Sequence, residues 1–519
     1  MTAETAEASG SLLEYLPGFI LTKLTTGIAS WIFSLCLGAV IPLAFAPFNT
    51  YSSLFSYLIF LPLTLFLFQL LHAKTAKEAF FKGWLFGIGL FAIGVSWIYV
   101  AIHVYGAAHW SLAGTLTGLF IIFLALHYAL MSWGLVKIRD SFSVSRNTLI
   151  VFYMPVAWVF FEWIRTWILT GFPWLLVGYP MIATPLSGYA PIIGIYGLSL
   201  LVLLLSSLFL LRIKTIYSVS LLLIIVIMGN ILEQIDWSET QGQPLTVALI
   251  QGNVNQAVKW DRQQLQKTKQ LYLSLSQEQF QKNDVIVWPE NAIPVFYHDL
   301  ENSFYRQLTL LASNTQTELI TGLPVFDDDT RKYYNAMTNL GGHQGFYYKS
   351  HLVPFGEYVP LADLLRNLLH FFNMPMSAFS AGESEQPLLE IKGNKVLVTI
   401  CYEDVFAQDV IRQIPQSQFM INLSNNGWYG DSFAPHQHLE MARMRALETS
   451  RELIRSTTSG ISAVIDAKGN IKQKGPQFKT AIINGDIQPR TGTTPFVFWG
   501  NYPILMVFIL AGLVLYQRR

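Results

Sequence analysis

Cysteine, charge and net charge are all scarce in this chain of 519 residues. Only two cysteines occur, Cys36 and Cys401, which excludes a disulfide framework. Charged residues make up 13% of the chain, against roughly 25% in an ordinary soluble domain, and that shortfall argues against a wholly soluble enzyme. A formal net charge of +1 leaves no basic surplus, so no nucleic-acid partner is expected. The scarcity of charge is uneven. Of the first 236 residues 18 are charged, whereas 49 of the remaining 283 are. An apolar half with lipid-like composition is therefore joined to one close to a globular protein.

A transmembrane helix needs about 20 predominantly apolar residues. Seven such stretches precede residue 237, at roughly 27–46, 53–71, 83–103, 112–136, 148–169, 190–211 and 216–232, and an eighth covers 498–516. The first is not a cleavable signal, because no compact basic segment precedes it and further spans follow at once. Positive charge accumulates in cytoplasmic loops. Lys74, Lys77 and Lys82 fall in one loop, Lys137, Arg139 and Arg146 in another, and Arg212 and Lys214 in a third, while Arg518 and Arg519 close the chain. The alternate loops near 47–52, 104–111 and 170–189 hold no Lys or Arg. This alternation places both termini in the cytoplasm and residues 233–497 on the opposite side, the periplasm of a bacterium. The expected organisation is a membrane domain at 1–236, a periplasmic domain at 237–495, and a final helix with a basic tail at 496–519. Within span five, Glu162 and Arg165 share a helix face. Intramembrane charges pair or face a cavity, so this is either a structural pair or a contact for a lipid headgroup.

Between spans seven and eight the long apolar runs give way to short ones. Leu245–Ile250, Asp284–Trp288, Leu319–Leu323, Lys395–Ile400, Phe419–Leu423 and Ile461–Ile465 read as strands, and 261–281 and 436–455 as helices. Short apolar strands alternating with helices predict sheets covered by helices, an α/β sandwich.

Folds of this kind place their chemistry at strand ends. Cys401 directly follows an apolar strand and precedes Tyr402-Glu403-Asp404. A thiol presented there is a candidate nucleophile if a base or cation lies near it, although a lone cysteine is more often buried and inert. Cys36, inside an apolar span, reads as a packing residue. Glu290 ends Val285-Ile-Val-Trp-Pro-Glu290, and partial burial there suits a carboxylate to proton transfer. Lys349 is either a surface residue or a fixed cation for an oxyanion. Glu357, eight residues on, can pair with it or share in proton handling. Together Glu290, Lys349 and Cys401 supply the base, electrophile and nucleophile of acyl transfer.

Trp288-Pro-Glu290, Lys349-Ser-His-Leu-Val-Pro-Phe-Gly-Glu357 and Ile400-Cys-Tyr-Glu403 resemble the Glu-Lys-Cys signatures of the nitrilase superfamily. With the spans, the chain resembles the apolipoprotein N-acyltransferase family, which adds the third acyl chain to bacterial lipoproteins. The resemblance extends to Gly171-Phe-Pro-Trp-Leu175, Lys259-Trp260, Gln437-His438, Met441-Ala-Arg-Met-Arg-Ala-Leu-Glu448 and Gly500-Asn-Tyr-Pro503. It implies an αββα nitrilase-like domain on a helical bundle of eight spans in the bacterial inner membrane. It further implies a ping-pong reaction through a thioester on Cys401, with Glu290 as general base, Lys349 steadying the oxyanion and Glu357 assisting. Trp260, Tyr402 and Glu403 match positions important in the family, and Asn425 and Trp428 belong to a run it shares. That run departs from the family at Asn426, where an aspartate is common, so a carboxylate role there is in doubt.

The resemblance implies a phospholipid donor, phosphatidylethanolamine, and a diacylated apolipoprotein acceptor, with no metal or cofactor. Substrates anchored in membrane lipid call for a site open to the bilayer surface, and Phe371, Phe372, Met374, Met376 and Phe379 are expected to form a lid there. The competing readings are a membrane-tethered nitrilase-type amidase and a scaffold or transporter without activity.

Overall fold

The computed structural model describes residues 23–142, 144–211, 215–343, 345–358 and 379–518. The chain divides into two compact units. One holds the described residues up to Ser96, then Gly114–Ile235 and Trp499 onward, and the other holds Trp97–Ala113 and Asp236–Phe498.

The first unit is helical. Among the described residues six helices are long and apolar enough to cross a membrane: Gly27–Ala44, Leu54–Leu71, Trp110–Ser141, Arg146–Arg165, Pro185–Leu208 and Ile216–Glu233. A pair broken at Val95-Ser96, Ala76–Gly94 and Trp97–Tyr105, makes a seventh if counted as one span. The expected eighth, Tyr502–Gln517, has 16 residues and so rises only about 24 Å. The helix Gly27–Val40 packs tightly on Ala76–Gly94, because a Cβ at Gly38 would lie 1.9 Å from the Phe86 carbonyl oxygen. Of the basic loops read for orientation, Arg212, Lys214 and Arg519 lie outside the described residues.

Glu162 and Arg165 have a backbone task. Glu162 Oε1 accepts from Trp158 Nε1 at 3.1 Å and from the Val177 amide at 3.0 Å. Arg165 Nη1 donates to the Trp174 carbonyl at 2.5 Å, and the Phe172 amide returns to the Arg165 carbonyl at 2.7 Å. The pair thus ties the irregular 171–178 segment to the end of its helix, which supplies polar partners that lipid cannot.

The second unit contains two six-stranded sheets. The first is built from β1 (Leu245–Gln251), β2 (Val285–Val287), β3 (Glu318–Asp327), β4 (Lys332–Leu340) and β5 (Phe346–Tyr348). The second is built from β6 (Leu389–Ile391), β7 (Asn394–Ile400), β8 (Phe419–Ser424), β9 (Leu453–Thr457), β10 (Ala463–Ile465) and β11 (Ile471–Lys474). Strand β12 (Ala481–Ile487) returns to the edge of the first sheet, giving the orders β12-β1-β2-β3-β4-β5 and β11-β10-β9-β8-β7-β6. In each sheet the central trio, β1-β2-β3 or β7-β8-β9, is parallel and the outer strands are antiparallel.

Alternation along the strands builds four layers. Val247, Leu249, Val285, Val287 and Ile320 of the first sheet bury themselves among Val396, Val398, Ile400, Ile421 and Ile454 of the second. The other face of the first sheet, Ala248, Ile250, Ile286 and Leu319, packs on Tyr272, Leu308 and Ala312 of helices α1 (Arg262–Gln277) and α2 (Arg306–Thr315). The outer face of the second sheet packs on Leu439, Ala442 and Ala446 of α3 (Ala434–Thr449). The result is an αββα sandwich, the class the short apolar runs predicted. Each fully buried Val, Leu or Ile contributes roughly 1.5–3 kcal/mol, and the β-branched Val and Ile suit the pleated centre.

Candidate active site

Three strand ends bring the central side chains together. The Trp288 amide extends the β2 ladder by bonding the Ile320 carbonyl at 2.8 Å, and Glu290 follows two residues later. Lys349 comes straight after β5, its amide held by the Asn335 carbonyl at 2.8 Å. Cys401 directly follows β7 and opens a 3₁₀ turn, Cys401–Val405. Its φ of +53° lies in the left-handed region that a side chain with a Cβ rarely adopts. Strain of that kind gathers at functional sites, and a sharp turn off a strand presents its first side chain.

Lys349 Nζ lies 2.9 Å from Glu357 Oε1, 2.8 Å from Glu357 Oε2 and 3.7 Å from Glu290 Oε1. Asn335, on β4, bridges the two carboxylates with one amide nitrogen, 2.7 Å from Glu290 Oε1 and 2.9 Å from Glu357 Oε1. Lys349 is 1% exposed. Burial works against its charge, but Glu357, Glu290 and Cys401 outweigh that and hold the ammonium above the ordinary lysine range. Burial, then the charge of Glu290, push the Cys401 thiol up to about 12 against the pull of Lys349. The resting group is therefore the thiol, which needs a base at the moment of attack.

Glu403 clamps the loop after β5 to the turn that Cys401 opens. Its Oε1 accepts from the Ser350 amide at 2.7 Å, the Ser350 hydroxyl at 2.9 Å, the His351 amide at 3.1 Å and the Tyr347 hydroxyl at 3.0 Å. Its Oε2 accepts from the Ile400 amide at 2.6 Å. Lys349 and Cys401 come from different sheets, and this carboxylate sets their spacing.

Two family models match the chain: the N-terminal domain of apolipoprotein N-acyltransferase over residues 37–208, and carbon-nitrogen hydrolase over residues 246–496. The apolipoprotein N-acyltransferase of Methylococcus capsulatus is 38% identical over 484 residues, spanning 92% of this chain and 93% of the relative. That of Pseudomonas aeruginosa is 39% identical over 493 residues, spanning 93% and 94%. The chain belongs to the apolipoprotein N-acyltransferase family. Membership makes it an acyltransferase, and with its apolar helices a bacterial membrane protein. Among solved structures, a Saccharomyces cerevisiae member of branch 10 of the nitrilase superfamily is similar at 21% identity and a TM-score of 0.37, covering 51% of this chain and 97% of that one.

The other residues marked by the resemblance have the following surroundings. Trp260 is half-buried, just ahead of α1, and its indole N–H is buried without a partner among the described residues. Tyr402 packs edge-on against Phe406 with ring centres 5.1 Å apart. Asn425 accepts from the Gly427 amide at 3.2 Å and donates to Gln256 at 2.8 Å. Trp428 lies 6.4 Å from Tyr105, ring centre to ring centre. Of the expected lid, Phe371, Phe372, Met374 and Met376 lie outside the described residues. Phe379 is described, and its amide bonds the Glu357 carbonyl at 3.0 Å. Among the described residues no cluster of His, Cys, Asp and Glu is arranged to hold a metal.

Three features escaped the strand-end reading. Asn335 is fully buried in β4, and its only signal was an amide in a strand running into apolar residues. Lys259, noted only as part of a motif, is 1% exposed and donates to the Glu290 carbonyl at 3.1 Å. Burial lowers its ammonium to about 8, against the pull of Glu290. Finally, Trp97–Ala113, read as span and loop, belongs to the second unit. Trp97 meets Tyr429 edge-on at 4.8 Å and donates to Gln437 Oε1 at 3.3 Å.

Proposed function

We propose that this acyltransferase moves a fatty acyl chain from a phospholipid, through a thioester on Cys401, to the N-terminal amine of the diacylglyceryl-cysteine of bacterial apolipoproteins. The observation that carries the reading is the buried Glu290-Lys349-Glu357 cluster, whose charges act on a thiol at a strained strand end. Glu290 takes the thiol proton as the sulfur attacks the ester carbonyl. Lys349 and a backbone N–H beside Cys401 hold the oxyanion. The C–O bond to the lysophospholipid breaks, and Glu290 returns the proton to that leaving oxygen. The neutral amine of the acceptor then attacks the thioester carbonyl and gives its proton to Glu290. The C–S bond breaks, and the sulfur regains the proton. With burial and Glu290 holding the thiol well above neutral pH, free thiolate is scarce near pH 7. Base catalysis by Glu290 is thus part of the attack rather than a prior equilibrium.

Phosphatidylethanolamine is the donor this reading favours. The membrane is the bacterial inner membrane, with residues 237–495 in the periplasm and both termini in the cytoplasm. Support for that orientation comes from the alternation of basic and uncharged loops. The lid reading for 368–379 belongs to the same proposal.

The test is direct. Incubate the full-length protein with phosphatidylethanolamine vesicles and look for an acyl mass adduct on Cys401, then for its loss when a diacylated lipopeptide is added. Cys401→Ser should abolish the adduct and Cys36→Ser should keep it. No adduct with any phospholipid would defeat the proposal.

A further inference from the structure

Acyl transfer as outlined leaves unused a buried polar network beneath the nucleophile turn. Arg455, on β9, donates from Nη1 to Asp404 Oδ2 at 2.9 Å and to Asn422 Oδ1 at 2.6 Å. Its Nη2 donates to Asn426 Oδ1 at 3.3 Å. Asn422 in turn donates from Nδ2 to the Cys401 carbonyl at 3.2 Å. None of Arg455, Asp404, Asn422, Asn426 and His438 is more than 2% exposed.

The contact with Asn426 bears on the protonation of the imidazole. The oxygen of Asn426 is taken by the guanidinium, so its Nδ2 faces His438 Nδ1 at 3.2 Å. An amide NH₂ only donates, so Nδ1 must be the bare nitrogen. The ring proton then sits on Nε2 and donates to Asp404 Oδ1 at 2.7 Å. Arg455, on β9, and Asp404, on the turn after β7, are charged groups that act on His438, and the Cys401 carbonyl accepts from the ring. Burial, with Arg455 behind it, holds the imidazole below its ordinary range against the pull of Asp404.

We propose that Asn426 is a positioning residue that locks His438 as the neutral Nε2–H tautomer, and so keeps the Asp404-Arg455-Asn422 bridge to the Cys401 carbonyl at constant charge. A carboxylate at 426 would still accept from Arg455, but it has nothing to donate to Nδ1. The ring would have to take a second proton, and the turn would acquire a group that titrates in the working range. The inference rests on Cys401 being the nucleophile, yet its test needs no phospholipid, so its failure is separable from failure of the acyl-transfer proposal.

The experiment measures iodoacetamide alkylation of the full-length protein in a Cys36→Ser background, where Cys401 is the sole thiol, from pH 6 to pH 9. The parent should follow thiolate fraction, a log rate rising with unit slope and no break. Asn426→Asp should show a break in that interval, where His438 sheds its added proton. Beyond it the uncompensated carboxylate should depress the rate about threefold below the unit-slope line, half a unit of thiol pKa. Adding His438→Gln should remove the break, since an amide does not titrate. A role confined to packing would lower the rate evenly at every pH. A folded Asn426→Asp protein with an unbroken profile overturns the proposal, as does a break that persists in the double variant. Should Asn426→Asp not melt cooperatively, His438→Gln alone decides. Removal of a neutral ring leaves a profile parallel to the parent's, and a gap that changes with pH overturns the assignment.

Discussion

Gly322 has no room for a side chain. A Cβ there would lie 2.7 Å from Glu290 Cα and 2.9 Å from the Asn291 nitrogen, and both obstacles are backbone. Gly322→Ala should therefore cost about 2–4 kcal/mol, read as a lowered melting temperature, and should slow acyl-enzyme formation by displacing Glu290. Lys259 presents the opposite balance. Its folded-state pKa of about 8 lies below the ordinary lysine value of 10.5, so a buried charge weakens the fold below pH 8. Between those values the unfolded chain binds more protons than the native one, and stability rises with pH. Lys259→Met should abolish that rise and leave the neutral-pH melting temperature equal or higher. It should also slow acyl-enzyme formation roughly tenfold, about 1.4 kcal/mol, because the Glu290 carbonyl loses its tether. A Lys259→Met protein that is both less stable and fully active would refute the assignment. At this scale Glu290 and Cys401 stood out in the sequence as polar residues just beyond apolar runs, whereas Lys349 stayed open between a surface residue and a fixed cation, because β5 was not among the expected strands. Asn335 was not, since it matters through what two other segments place beside it.

Among elements, the most consequential join is the one Glu403 makes between the loop after β5 and the turn after β7. Five donors converge on its two oxygens. Glu403→Gln would set an amide NH₂ against backbone N–H groups on one side, a donor facing donors. The expected result is a melting temperature lower by several degrees and acyl-enzyme formation slowed about 100-fold. Cys401 should remain open to alkylation, since the thiol itself is untouched. Unchanged acylation would show that the clamp is dispensable. Of the strands in the two large sheets, β1, β2, β3, β7, β8 and β10 were readable from short apolar runs, whereas β4, β5, β6, β9, β11 and β12 were not. The helix expected over 436–455 ends at Thr449, and Leu453–Thr457 is β9. Two further matters were hidden. Strand order depends on pairing between segments as distant as β1 and β12. The break at Val95-Ser96 carries no proline, and hydropathy runs smoothly through it, so Trp97–Ala113 looked like span and loop rather than part of the unit that holds the site.

For the whole molecule, the uneven charge first observed in the sequence sets a topology that can be measured. Phospholipid and a diacylated acceptor both reside in the bilayer, so an apolar half serves as more than an anchor under the proposed reaction. Orientation rests on Lys74, Lys77 and Lys82, which stand just before and within the first turns of the helix Ala76–Gly94 with Lys82 buried, while 104–111 and 170–189 hold no Lys or Arg. Lys77 and Asp328, at the tip between β3 and β4, are both exposed. In a Cys36→Ser, Cys401→Ser background, Lys77→Cys and Asp328→Cys each supply a single reporter thiol. With a maleimide that crosses the outer but not the inner membrane, intact cells should label Asp328→Cys and spare Lys77→Cys, and lysis should make both reactive. The neutral loops predict the same outcome independently, because a thiol placed at exposed Ala107 should label with the insert. If Lys77→Cys labels in intact cells and Asp328→Cys does not, the chain is inverted, and the proposed acceptor, a lipoprotein amine on the periplasmic face, would be out of reach of Cys401.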